Sequence, residues 1–262
     1  MTVRSFYLAL CERYPEENRS SFDFDGLQLC PDENREVKTV LVALDLTRES
    51  VDMAIETGCD VLLTHHPILF SGVRTLDPSS NMDAENATRL ITHGIAHISL
   101  HTRFDGGKGG INDALAKKLG LTCIKPFGID ANDPFPLGRK GELEHEMQPK
   151  DFAAFAASVL GCHVLLTDGG NTVKRVAVLG GAAGEFTERF VEEGDCDALL
   201  TGEVAHHRKL LVAHARKTLA EAGHYGSEKI FIEAILPVIS DVDPAIATAP
   251  FFDTAHEICV LA

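Results

Sequence analysis

A chain of 262 residues is long enough for one large α/β domain or two small ones, and its core needs no disulfide staple. The excess of 39 acidic over 24 basic residues gives a formal net charge of −15. This opposes general nucleic-acid binding but not a small anionic ligand held by bound cations. The seven cysteines include no Cys-x-x-Cys pair, which argues against a disulfide framework or a zinc ribbon and fits a reducing, cytoplasmic setting. No apolar run approaches the roughly 20 residues of a membrane helix, and Met1 to Pro15 does not read as a signal or transit peptide.

In chain order, residues 3–14 read as a helix with Val3, Phe6, Leu10 and Tyr14 on one face. A loop follows around Phe22-Asp23-Phe24-Asp25-Gly26-Leu27-Gln28. Val40 to Leu44 is a buried strand ending in Asp45, and Thr47 caps a helix from about Arg48 to Glu56 that Gly58 closes. Val61-Leu62-Leu63-Thr64 is a second buried strand, which runs into His65-His66-Pro67. Ala84 to Thr92 is a helix, and Ile95 to Leu100 a strand that delivers His101-Thr102-Arg103-Phe104-Asp105. After a glycine-rich bend comes a helix from Asn112 to Leu119.

From Lys125 to Pro149 prolines, glycines and charges break any long pattern, and a domain junction is expected near Lys125–Asp130. Leu137 to Leu143 reads as a strand, Asp151 to Leu160 as a helix, and His163 to Thr167 and Arg175 to Leu179 as strands joined by a hairpin-type turn at Asp168-Gly169-Gly170-Asn171. A helix from about Glu203 to Lys217, a short strand toward Ala222, and a helix carrying Phe231, Ile232, Ile235 and Leu236 follow. Ser227 is its expected N-cap, and Pro237 is expected to kink or end it. His256 to Leu261 reads as a last strand.

The run from Val40 to Thr64 is echoed by Val176 to Thr201, most closely where Cys59-Asp60-Val61-Leu62-Leu63-Thr64 meets Cys196-Asp197-Ala198-Leu199-Leu200-Thr201. The expected fold is α/β, with two related α/β domains from an internal duplication. The first comprises residues 1–125 and the second 126–262, with the C-terminal segment returning His224 and Glu228 to a metal site in the cleft between them. Cys59 and Cys196 read as small core residues.

Three strand ends present ligand-type residues: His65 and His66, then His101 and Asp105, then His224 and Glu228. Pro67 cannot extend a central ladder, so the chain turns there and two imidazoles can splay around one position, each holding one of a pair of metal ions. His224 and Glu228 face the same way on a helical turn. Two metals about 3.5–4 Å apart need a bridging carboxylate, which Glu228 or Asp105 can supply. His101, Glu203 and His206 are candidates for moving protons, each weighed against a merely supporting role. Gly180 to Gly184 either cradles a phosphate or makes a tight structural turn. His93, His97, His145, His163, His214 and His256 read as core or surface histidines.

Four motifs carry a resemblance over nearly the whole chain. Thr64-His65-His66-Pro67, His101-Thr102-x-x-Asp105-x-x-x-Gly109-Gly110-x-Asn112-Asp113, Thr201-Gly202-Glu203 and Gly223-His224-Tyr225-x-x-Glu228 resemble those of the Nif-three-like family, often labelled GTP cyclohydrolase type-two homologues. The resemblance implies two α/β domains, a ring-shaped homo-hexamer and a dinuclear metal centre, with His65, His66, Asp105, His224 and Glu228 as ligands. Two divalent metal ions per chain are then expected, and ligands without thiolate suit Zn, Fe, Mn or Co. The sequence departs from the family where Phe22-Asp23-Phe24-Asp25-Gly26-Leu27-Gln28 replaces Trp-Asp-Asn-x-Gly-Leu-Gln. It departs again where Arg103-Phe104 replaces Asn-Leu. Arg103 either meets an anionic substrate or pairs with a nearby carboxylate. The expected function is a metal-dependent hydrolase acting on a small nucleotide-like or phosphorylated substrate, with His101 as its acid–base residue. The alternative is a non-catalytic metalloprotein, either a metal carrier or an oligomeric scaffold.

Overall fold

A computed structural model describes residues 1–70, 75–128 and 135–253; the strand expected at His256 to Leu261 lies outside them. The chain forms α1 (Val3–Arg13), β1 (Gly26–Leu29), β2 (Thr39–Ala43), α2 (Arg48–Thr57), β3 (Val61–Thr64), α3 (Met82–Thr92), β4 (Ala96–Ser99) and the single-turn α4 (Thr102–Asp105). Next come α5 (Ile111–Lys118), β5 (Thr122–Phe127) and β6 (Gly138–Met147). The opening pattern then recurs as α6 (Pro149–Leu160), β7 (Leu165–Thr167), β8 (Val173–Ala182), α7 (Phe186–Glu193), β9 (Ala198–Glu203), α8 (His206–His214), β10 (Thr218–Glu221) and the single-turn α9 (His224–Glu228). The described chain closes with α10 (Ile230–Val242) and β11 (Ala247–Pro250).

Local chemistry sets these boundaries. Thr2 and Ser5 form a capping box at the start of α1, and Thr47 and Ser50 form one at the start of α2. Gly58 closes α2 in the left-handed region at φ 61°. The α1 face of Val3, Phe6 and Leu10 is fully buried, as its spacing predicts.

The chain divides into two compact units, Met1–Phe104 with Phe231–Ala262, and Asp105–Ile230. The boundary therefore falls inside α4 rather than at residues 125 and 126. The stretch that looks like a linker is the antiparallel pair β5 and β6, with β6 paired to β8, so it extends a sheet. The segment after Phe231 belongs to the first unit, because β11 pairs in parallel with β2.

The first unit's sheet runs β1-β4-β3-β2-β11, and the second's runs β5-β6-β8-β9-β10-β7. In the first, β2, β3 and β4 are parallel and β1 lies antiparallel outside β4. In the second, β8, β9 and β10 are parallel and β7 lies antiparallel outside β10. The duplication thus spans α1 to α4 against α6 to α9, well beyond the segment that similarity alone reveals.

Because β7 pairs with β10, Asp168 to Asn171 does not make a hairpin. The Asp168 carboxylate accepts from the Gly170 amide at 2.8 Å, and Asn171 donates to the Arg216 carbonyl at 3.1 Å, which ties the turn to the approach to β10. Pro237 lies inside α10 without ending it, and Phe231, Ile232, Ile235, Val238 and Ile239 are buried. No helix among the described residues is long and apolar enough to cross a membrane.

Candidate metal centre

The ligand-type residues stand at the carboxyl ends of the parallel strands, where open α/β sheets collect their sites. In the first unit the amides of His65 and His66 both donate to the Leu44 carbonyl, at 3.1 and 3.2 Å. The backbone thereby turns at the end of β3, and both rings come to one side. Their ring centroids lie 4.8 Å apart, and His101, just after β4, lies 5.0 Å from His65 and 5.5 Å from His66. One ligand atom from each of the three falls within 4.8 Å of the others. Phe231, on α10, packs against the His65 ring at 5.3 Å, and Phe104 supports Phe231 in turn at 5.1 Å.

Each imidazole of the cluster has an oxygen near its Nδ1, hydrogen-bonded in His65 and His66. His65 Nδ1 lies 2.8 Å from the Leu100 carbonyl, His66 Nδ1 lies 2.7 Å from Asp45 Oδ1, and His101 Nδ1 lies 2.9 Å from Asp23 Oδ1. In His65 and His66 the acceptor at Nδ1 selects the tautomer protonated there, which makes Nε2 the donor atom toward a metal. Asp23 is buried and also accepts from the Thr102 amide and hydroxyl. Burial alone would raise its pKa, but His101 and the Thr102 donors outweigh it and hold the carboxyl down at about 2.

Within the second unit the ligand-type residues are Asp105, His224 and Glu228. His224 Nε2 and Glu228 Oε2 lie 3.0 Å apart across one turn of α9, and His224 Nδ1 lies 3.2 Å from Glu203 Oε1. Glu228 and Asp105 are buried, at 4% and 8% exposure. Two carboxylates this deep each cost several kcal/mol unless compensated, and a cation is a compensation that this donor set suits. Gly181 makes room for the pair: at φ 67°, a Cβ there would come within 2.2 Å of Glu228 Oε1. Gly180 and Gly181 belong to β8 and back the His224–Glu228 pair, so of the two readings of the glycine run the structural one describes them. Ser227 is not a cap: it lies within α9, accepts from the Gly181 amide and donates to the Gly223 carbonyl.

The sequence missed the carboxylates behind the imidazoles. Asp45 was legible only as the end of a strand, and Asp23 and Asp25 only as loop residues. Arg103 does not face a ligand. It is fully buried, its Nε donates to Asp25 at 2.8 Å and its Nη1 to the Tyr14 carbonyl at 2.8 Å. Burial opposes its charge, and the Asp25 carboxylate more than restores it. Of the other histidines, His97 is buried in β4 with its Nε2 2.8 Å from the Thr64 hydroxyl, and burial pushes its pKa down to about 3. His93, His145, His163 and His214 are exposed, and His256 lies outside the described residues. His206 opens α8 on the surface. Cys59 and Cys196 are buried, and burial raises their thiols to about 11 and 12.

Comparison with known proteins identifies the family. A Streptomyces coelicolor protein named GTP cyclohydrolase 1 type 2 homolog is 34% identical over 244 residues, covering 89% of this chain and 85% of its own. The Saccharomyces cerevisiae protein named NGG1-interacting factor 3 is 27% identical, covering 78% of this chain and 75% of its own. The crystal structure of a Staphylococcus aureus hypothetical protein, SA1388, superposes with a TM-score of 0.89 at 27% identity, covering 100% of this chain and 99% of that one. The profile of the Duf34/NIF3 (NGG1p interacting factor 3) family matches residues 1–250, and with likeness of this extent in both sequence and fold the chain belongs to that family.

Proposed function

We propose that the protein is a metal-dependent hydrolase whose dinuclear centre is held by His65, His66, Asp105, His224 and Glu228, and whose substrate is a small nucleotide-like or phosphorylated molecule. The observation that carries the reading is the shared state of the imidazoles. His65, His66 and His224 each have Nδ1 on an oxygen acceptor, the arrangement that readies Nε2 for a cation. Residue by residue, these are the positions that match the family motif.

Two divalent cations supply an activated water and a polarised electrophile. The chain supplies the rest. Asp45, the Leu100 carbonyl and Glu203 fix ring orientation, and the buried carboxylates of Asp105 and Glu228 offset cationic charge. Imidazole and carboxylate without thiolate suit Zn, Fe, Mn or Co. The name of the yeast relative, an interacting factor, favours a second reading in which the metal is carried or structural and the protein acts as a scaffold.

Metal analysis of the purified protein tests the proposal. Close to two ions per chain are expected, and His66→Ala should lose at least one while its circular dichroism stays native. Unchanged metal content in that variant refutes the ligand set. A turnover screen of the metal-loaded protein against nucleoside triphosphates, cyclic nucleotides and phosphoesters separates the two readings: silence throughout favours the scaffold.

A further inference from the structure

We infer that Asn112 is a positioning residue of the second unit: its side-chain amide holds the Asp105 backbone against the strand end that backs Glu228, and so fixes the spacing of the two buried carboxylates. The inference rests on the metal-centre reading above and adds to it a residue that itself binds no ion.

Asn112 is the second residue of α5 and is fully buried. A buried primary amide must find partners for its donor hydrogens and for its acceptor oxygen. Here Nδ2 donates to the Asp105 carbonyl at 3.3 Å and to the Leu137 carbonyl at 3.0 Å, and Oδ1 accepts from the Gly180 amide at 2.8 Å. These partners lie 7, 25 and 68 residues away along the chain. One side chain thus ties together the end of α4, the entry to β6 and the last turn of backbone in β8.

The β8 end is what meets Glu228. A Cβ on Gly180 would stand 3.2 Å from Glu228 Cγ, so the strand backbone lies directly against that side chain. The next residue, Gly181, is fixed as well: its amide donates to Ser227 Oγ at 3.0 Å, and its carbonyl accepts from the Thr201 hydroxyl at 3.0 Å. One carboxylate oxygen of Asp105 lies within 4.8 Å of one of Glu228. Two acids so close repel when both are ionised, so the backbone that carries them has to be held. Asn112 touches that backbone on both sides, at Asp105 and at Gly180, and all of these residues belong to the second unit.

The task suits an amide. Aspartate at this position would keep an acceptor for Gly180 but set a carboxylate against two carbonyl oxygens. An apolar side chain would leave the Gly180 amide without its acceptor.

The test is Zn(II) affinity, read by competition with a chromophoric chelator on metal-stripped full-length protein, with circular dichroism and urea midpoints reporting the fold. Asn112→Ala and Asn112→Asp should bind about 10–100-fold more weakly than the unaltered chain, the usual loss when a residue that orients ligands is removed. Phe190→Leu, in the core of the same unit and sharing none of these contacts, is the control: it should lower the urea midpoint and keep the affinity. If the Asn112 variants fail to fold, hydrogen exchange in the unaltered chain still decides. Coupling is reciprocal, so a bond that helps to bind the ion is strengthened by it, and exchange of the Gly180 amide should slow on Zn(II) loading. The inference is overturned if a folded Asn112 variant keeps the unaltered affinity, if Phe190→Leu loses as much, or if the Gly180 amide exchanges at the same rate with and without Zn(II). Each of those results leaves the metal-centre reading standing, because the unaltered chain still binds Zn(II). An unaltered chain that takes up neither Zn(II) nor Co(II) overturns both.

Discussion

At the scale of single residues, Arg103, one of the departures from the family motif, is paired with the residue at the variable position of the other motif. Asp25 stands in the loop before β1 and Arg103 stands in α4, and they form a fully buried ion pair. Asp25 also accepts from the His101 amide at 2.9 Å, so the pair anchors the segment that carries the third histidine. Phe104, fully buried, packs tilted against Tyr14 with ring centroids 4.9 Å apart. Removing one partner of a buried pair leaves the other charged and desolvated, at a cost of roughly 3–5 kcal/mol. Arg103→Ala should therefore lower the urea midpoint sharply, whereas Arg103→Lys should recover part of the loss. A midpoint shift near zero for Arg103→Ala would show that the pair stabilises nothing. Either reading of Arg103 was open from its position, because its charge says nothing about which carboxylate lies within reach. Deciding that required Asp25, 78 residues away, to be folded against it.

At the scale of elements, the duplicated motif carries its own clamp. Asp60 precedes β3 and accepts from the amides of Lys38 and Thr39 at 2.8 and 3.0 Å and from Arg35 at 2.8 Å. Asp197 precedes β9 and accepts from the amides of Lys174 and Arg175 at 3.2 and 2.8 Å and from the Arg175 side chain at 2.8 Å. Each acid thus pins the start of the neighbouring parallel strand. Burial raises both pKa values, but the backbone donors and the arginines outweigh it, so both sit below the usual 3.8. A carboxylate depressed on folding stabilises above its unfolded pKa, and that contribution is lost as pH falls through the folded value. Urea midpoints should therefore drop below about pH 4, and Asp60→Asn with Asp197→Asn should flatten that part of the profile. A double variant with the wild-type acid limb would assign the limb to other groups. The repeat was visible in sequence because the Cys-Asp dipeptide recurs with its strand. The role of the aspartate was not, since its partners come from the strand before it.

For the whole molecule, the division of the chain is the main result. The chain leaves the first unit between Phe104 and Asp105 and returns to it between Ile230 and Phe231, each time within a few residues of a ligand-type side chain. Composition pointed to a junction near residue 125 because prolines and glycines in β5 and β6 resemble linker residues. In the fold they are tolerated: Pro126 sits on the edge strand, and Gly138 and Gly141 sit where a Cβ would strike neighbouring backbone at 2.8 and 2.7 Å. The family resemblance also implies a six-membered ring, which we propose for this chain. Light scattering should give a mass near six times that of the 28.4 kDa chain, and a monomeric mass at working concentration would exclude the ring.

Sequence alone determined what depends on near neighbours: the capped helices, the buried parallel strands and their internal echo, and the imidazoles and carboxylates placed just beyond strand ends. Those features follow from hydrophobic period, capping chemistry and the inability of Pro67 to continue a ladder. Tertiary structure decided what depends on residues far apart in the chain. It set the pairing of β7 with β10, the return of β11 to β2, and the burial of Arg103 against Asp25. It also brought Asp23, Asp45 and the Leu100 carbonyl behind the histidines. A hydrogen bond between distant segments leaves no periodicity in either one, so only the folded chain reveals which oxygen meets which nitrogen.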